Sequence, residues 1–306
     1  METVIAILLA TLGAGTPLVF AALGELVSEK SGVLNLGVEG MMVIGAVSGF
    51  VVAVESGNLW LGVLAALLAG AAMAGLFAAL TLSFQANQVV AGLALTIFGV
   101  GASAYIGLDY TSVALTGIQP LDIPLLSQLP VVGPLLFSLD PLMVLSFAMF
   151  AGVSWFLHRT RSGLLLRAVG EAPASAHALG YPVIRIRYMA VLFGGAMAGL
   201  GGAYLALVYT PLWVAGMAAG RGWIALALVV FATWRPMRVM LGAYLFGGIT
   251  IVQFHVQGLG VDLPSQLLSM LPYLATIVVL VLISRDTKTI RSSAPACLGM
   301  SYHPAA

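Results

Sequence analysis

Long apolar runs separated by short polar ones make up most of the chain. Uncharged or nearly uncharged stretches cover 4–23, 36–54, 59–84, 89–108, 141–157, 188–209, 223–234, 239–256 and 267–283. Most of them approach the ~20 residues an α-helix needs to cross ~30 Å of hydrocarbon. The pattern predicts an all-α, polytopic helical membrane protein with about nine membrane segments. The count runs from eight to ten, depending on how broken or re-entrant segments are treated. The seventh run is too short to cross, and extending it back to 212 brings Gly216, Gly220, Arg221 and Gly222 into the membrane. A broken helix reconciles the length with the charge.

Two polar interruptions are long enough to carry organisation. The 109–140 stretch holds Pro120, Pro124, Pro130 and Pro134 and has neither Lys nor Arg, which suits an ordered external cap. The 158–187 stretch carries Arg167-Ala168-Val169-Gly170-Glu171-Ala172-Pro173 and continues to Gly180. Pro173 starts, helix formers continue and Gly180 stops a short helix, so this interruption reads as a docking segment for another chain. Its candidate contacts are Arg167, Gly170, Glu171, Ala174, Ala176, Leu179 and Gly180. The whole is expected to form one transmembrane domain over 1–290, followed by a polar tail over 291–306. The N-terminal run follows Glu2 without a basic region and is full length, which favours a retained first helix over a cleaved leader.

Composition agrees with the pattern: 61% hydrophobic, 8% charged, mean hydropathy +1.08. These values exclude an ordinary soluble globule. With 158–187 on the cytoplasmic side, all of the 12 Lys and Arg except Arg221 fall on that side, and the C-terminus with them. The N-terminus lies outside if 25–39 is a simple loop and inside if it is re-entrant. A net charge of +1 gives no basic face for nucleic acid. Cys297 is the single cysteine, and His158, His177, His255 and His303 have no metal-ligand spacing, so neither a disulfide, a metal nor another cofactor is expected. The chain has no G-x-x-x-x-G-K-[ST] loop. Its nearest lookalike, Ser28-Glu29-Lys30-Ser31-Gly32, lacks the glycines that expose amides to phosphate. Paired intramembrane Asp residues, G-x-S-x-G with a His, and H-E-x-x-H are also missing. The chain is therefore not expected to hydrolyse ATP by that route, nor to be a membrane enzyme.

Polar residues inside the apolar runs are candidates for a translocation pathway. Glu39, in Asn35-Leu36-Gly37-Val38-Glu39-Gly40, has glycines on both sides that permit a kink or half-helix, with either an interfacial or a pathway role. Asn35 joins it as a candidate. Arg221 either anchors at the interface by snorkelling or lines the pathway. Gln253, His255 and Gln257 can bond a polar solute or one another. Glu39 is the one carboxylate placed to bind a coupling ion, which weakens an ion-driven secondary transporter acting alone, the competing reading. Small-residue stripes, Gly45-x-x-x-Gly49 and Gly195-x-x-x-Gly199, suit close helix packing either within a subunit or across a dimer.

Three segments then carry a resemblance. Ser28-Glu29-Lys30-Ser31-Gly32-Val33-Leu34-Asn35-Leu36-Gly37-Val38-Glu39-Gly40-Met41-Met42 resembles the early signature of permeases in the branched-chain amino acid, ribose and nucleoside class of ABC importers, the nucleoside branch most closely. Arg167-Ala168-Val169-Gly170-Glu171 with Pro173 and Gly180 is similar to that family's coupling segment. Gly220-Arg221-Gly222-Trp223-Ile224-Ala225-Leu226-Ala227 with Trp234 and Pro236 is similar to its late signature. Ala172 stands where the family often has Asn, and His177 is a further departure. The resemblance implies a bacterial inner-membrane permease paired with a second permease subunit, often non-identical. It further implies a cytoplasmic ATPase with tandem nucleotide-binding domains and an external substrate-binding lipoprotein. Nucleosides or related purines are the implied cargo, simple sugars second, and Tyr105, Trp213 or Trp223 could stack a base or sit in the interfacial belt.

Overall fold

The computed structural model describes residues 2–121, 139–258 and 293–303, with isolated positions between 270 and 281. The ordered elements are helices: α1 (Glu2–Lys30), α2 (Val38–Ser56), α3 (Leu59–Ala78), α4 (Gln88–Ile106), α5 (Pro141–Arg159), α6 (Arg161–Glu171), α7 (Pro173–Ala178), α8 (Val183–Tyr204), α9 (Arg221–Phe231) and α10 (Pro236–Gly258). One π-turn extends α3 over Ala79–Ser83 and another extends α8 over Leu205–Tyr209. Seven helices, among the described residues, are long and apolar enough to cross a membrane, and α9 is a shorter apolar helix. Most of the ninth expected segment, 267–283, and most of the 109–140 cap lie outside the described residues.

Local chemistry sets the boundaries. Asn58, Asn87, Asp140 and Thr160 each stand at an N-cap and accept a backbone N–H of the first turn, supplying donors that a helix start otherwise leaves unpaired. Pro141 and Pro173 occupy first helical positions, where the missing N–H costs nothing. The first helix corrects the sequence reading: it does not stop at Leu23 but runs through Pro17 to Lys30. The 25–30 stretch is therefore helix, and the link to α2 shrinks to 31–37. The 161–171 stretch is likewise an amphipathic helix where the sequence suggested loop.

Two helices form the heart of the bundle. α8 and α2 are the most deeply buried, and α1 and α3 pack on them. Contact is backbone to backbone: a Cβ added at Gly45 would sit 2.5 Å from the Gly199 Cα, and one at Gly24 would sit 2.7 Å from the Gly194 carbonyl oxygen. The two small-residue stripes thus pack within the subunit. Dispersion at such short approach replaces the water-driven burial that lipid cannot supply. Gly199→Leu should push α3 and α2 off α8 and destroy the folded population, measured as loss of the monodisperse peak of a fluorescent fusion in detergent. Gly152→Leu, at a position with open space around it, should leave the peak intact.

The described cations, Arg221 excepted, gather at one end of the bundle. Lys30, α6, α7, the α9–α10 corner and the 293–303 segment meet there. Lys30 Nζ donates to the Ser293 carbonyl, Cys297 N to Gly170 and Gly299 N to Gly32. The opposite end holds the Ala114–Leu212 bridge and the Tyr110 hydroxyl, which donates to Glu55.

Candidate translocation and coupling sites

α9 is a half-helix held at both ends by carboxylates from the 28–42 segment. Its 11 residues span only about 16 Å. Before it, 210–220 turns back into the bundle through Gly216, Ala219 and Gly220, all in the left-handed region. The amides at its start have no capping side chain of their own. Glu39 supplies one from α2: its oxygens accept Gly220 N at 2.9 Å and Gly222 N at 2.6 Å. Gly222 must lack a side chain, since a Cβ there would lie 2.5 Å from the Glu39 backbone. A carboxylate on bare amides at a helix N-terminus is favoured by both the hydrogen bonds and the helix dipole.

The depth of this joint follows from its neighbours. Gly40 packs on Leu95 and Thr96, midway along α4, and Gly99 packs on Gly40. Glu39 therefore lies inside the bundle, nearly enclosed at 7% exposure, and its charge is spent on two amides. Arg221 is held by its own turn. Its guanidinium donates to Met217 O and Ala218 O and stands over the Tyr209 ring, 5.8 Å from the centroid. It stabilises the 214–219 turn that delivers the chain to Glu39.

Asn35, by contrast, is wholly buried and consumed locally. Its Oδ1 accepts Gly37 N at 2.9 Å and its Nδ2 meets the Met41 sulfur at 3.4 Å. Gln253 is buried and His255 exposed on α10, which packs on α1, α5 and α9. Of the aromatic candidates, Trp213 is wholly buried against Gly107, Tyr105 is 78% exposed and Trp223 half-buried. The structure brings Glu39 and the start of the Arg221 helix together.

Two carboxylates escaped the sequence reading. Glu25 and Glu29 lie one turn apart on α1, both fully buried. Glu25 Oε1 accepts Asn35 N at 3.1 Å, and Glu29 Oε2 accepts the Trp234 indole N–H. Each keeps one buried oxygen without a partner among the described residues. Trp234 follows α9, so Glu29 fixes the far end of the half-helix while Glu39 fixes its start. The early and late signature segments are thus one structural unit. Their i, i+4 spacing in an apolar helix was the available signal.

The coupling candidates divide by burial. Gly170 packs on the Lys30 carbonyl and Gly32, leaving no room for a Cβ. Ala176 is buried with Val169 and Val183, and Gly170 is buried too, so both pack on the chain's own core. Ala174, His177, Leu179 and Gly180 are exposed, Leu179 by 76%. Gly180 takes φ +85°, the left-handed residue that ends the helix. Glu171 is exposed but tied to the tail through Ala296 N at 3.3 Å and the Cys297 thiol. Arg167 is half-buried beside Lys30.

Residues 7–283 match the family described as "Branched-chain amino acid transport system / permease component". Among relatives, a protein of Haloferax volcanii provisionally named as a glucose ABC transporter permease protein is 41% identical, over 96% of each chain. A guanosine ABC transporter permease protein of Bacillus subtilis is 35% identical over 96% of this chain and 95% of its own. A nucleoside ABC transporter permease protein of Lactococcus lactis is 32% identical over 94% and 93% respectively. No solved structure matches. With seven apolar helices of spanning length and these matches, the chain belongs to the family of permease components of ABC transport systems, multi-pass proteins of the plasma membrane.

Proposed function

We propose that this chain is the permease subunit of an ATP-driven importer of nucleosides or simple sugars, moved by a separate cytoplasmic ATPase that docks on α7. In this reading the end that carries α6, α7 and the C-terminal tail faces the cytoplasm. The observation that carries it is α7 itself: a short helix, anchored on one face by Ala176, that leaves Ala174, His177 and, at its end, Leu179 exposed. The names of the relatives support the cargo, two of them nucleoside permeases and one a sugar permease.

The packing suggests how a push on α7 travels. Ala176 locks α7 to Val169 of α6 and Val183 of α8. Gly170 of α6 bears on Lys30 and Gly32, the hinge between α1 and α2. Beyond that hinge lie Glu39 and, through its two amides, α9. Closure of the ATPase would tilt α6, α7 and this hinge as one body and shift the half-helix inside the bundle. A second permease subunit and an external binding protein complete the proposed assembly.

The test is uptake of labelled guanosine and glucose into proteoliposomes holding this chain, its candidate permease partner, the ATPase and the binding protein. Uptake is expected only with ATP. Leu179→Asp, at an exposed position, is expected to lower it about tenfold or more while the complex still purifies intact. Uptake by this chain alone under a proton or sodium gradient would overturn the importer reading.

A further inference from the structure

Beside the 167–180 segment lies a cavity of about 170 Å³ lined by three cations, a histidine and four uncharged residues. Lys30 at the end of α1, His158 at the end of α5, Arg167 of α6 and Arg235 at the α9–α10 corner line it together with Thr233. Four separate elements therefore turn basic side chains into one opening. Lys30 gives one N–H to the Ser293 carbonyl. Arg167 keeps its Nε buried with no acceptor among the described residues. The nearby carboxylates, Glu171 and Glu29, lie close enough to act on Lys30, and each accepts one further hydrogen bond, from Ala296 N and the Trp234 indole respectively.

We propose that this cavity binds a phosphate group, carried either by an anionic lipid headgroup or by free phosphate. A buried guanidinium N–H without an acceptor is a rare and costly state, so it points to a partner that the described residues do not supply. Like charges gathered this closely repel, and a bound anion relieves the repulsion. Arginine and lysine are the side chains suited to phosphate oxygens, the first through its fork of donors and the second as a point charge. Basic pockets between helices at the membrane surface are where anionic headgroups dock.

The corner that forms one wall is built rigidly. Thr233 and Trp234 both take left-handed φ, +50° and +52°, an unfavourable pairing for two residues with side chains. Trp234 is pinned by Glu29, and Thr233 Oγ1 accepts Arg238 at 2.7 Å. Arg235, next in the chain, lines the opening together with Arg167. A phosphate there joins α6 to α1 and α9, so its occupancy sets how firmly the coupling segment is attached to the bundle.

Thermal unfolding of the full chain, purified in neutral detergent, tests the site with three additives: phosphatidylglycerol, phosphatidylcholine and inorganic phosphate. Phosphatidylglycerol is expected to raise the midpoint by a few degrees and phosphatidylcholine at the same concentration to leave it unchanged. The rise should vanish in Arg167→Gln and in Arg235→Gln, and persist in Arg185→Gln, an exposed cation at the same end but outside the cavity. If inorganic phosphate reproduces the rise, free phosphate suffices; if phosphatidylglycerol alone does, the headgroup is the ligand. Arg235 is exposed, so its variant carries the comparison should Arg167→Gln misfold. A rise that survives both cavity variants, one that phosphatidylcholine matches, or no rise at all overturns the proposal.

Discussion

Glu39→Ala is expected to cut ATP-dependent uptake to less than about a tenth and to lower the unfolding midpoint by several degrees. The change strips two buried amides, Gly220 N and Gly222 N, of their acceptors. Each orphaned donor costs roughly 1–3 kcal/mol, and the helix start loses its compensating charge as well. Water has little access, because Gly222 is pressed against the Glu39 backbone and Gly40 against α4. Glu39→Gln keeps one carbonyl oxygen but turns an amino group toward the second amide, so it should fall between alanine and wild type. The order wild type, glutamine, alanine should hold in both midpoint and uptake rate. Uptake should fall further than the amount of folded protein does, since α9 would remain in place but without a fixed register against α2. An alanine variant that transports at the wild-type rate would remove Glu39 from the moving parts.

Much of this architecture can be read from apolar runs alone, and the failures share one cause. Spans two to six start or end within a few residues of the apolar limits, because lipid demands unbroken apolar helix and the runs record that demand. Pro173 and Gly180 bracket α7 because the first lacks an N–H and the second tolerates φ +85°. Charge is where linear reading misleads. Glu25 and Glu29 close the first apolar run at Leu23, yet their side chains meet Asn35 and Trp234 inside the protein, so the helix continues. Hydropathy counts a carboxylate as exposed to solvent or lipid and has no term for a donor 205 residues away. The same blindness applied to the coupling segment. Gly170 and Ala176 stand in the middle of a docking motif, but they face inward, because α6 is an amphipathic helix whose apolar side the surrounding charges disguise. Glu39 was legible as a buried acid next to glycines. Its partner, the start of a half-helix, was legible separately as a broken span, and only the fold joins the two.

Trp234→Phe should destabilise the chain, and a second change should largely repair it. The indole N–H is the donor to Glu29 Oε2, and the other carboxylate oxygen has no partner among the described residues. Removing the donor leaves a buried carboxyl oxygen of Glu29 without its partner, a loss of roughly 1–3 kcal/mol. Replacing both partners by apolar groups of similar size, Glu29→Met with Trp234→Phe, removes the stranded group as well as the bond. Such paired exchanges are often close to neutral. Midpoints of wild type, both single variants and the double variant form a cycle in detergent, with a positive coupling of several degrees expected between the two sites. Additive losses would mean that the bond contributes nothing specific. If the double variant recovers stability but not ATP-dependent uptake, the polar link between α1 and the end of α9 is retained for the motion of the half-helix and not for holding the fold together.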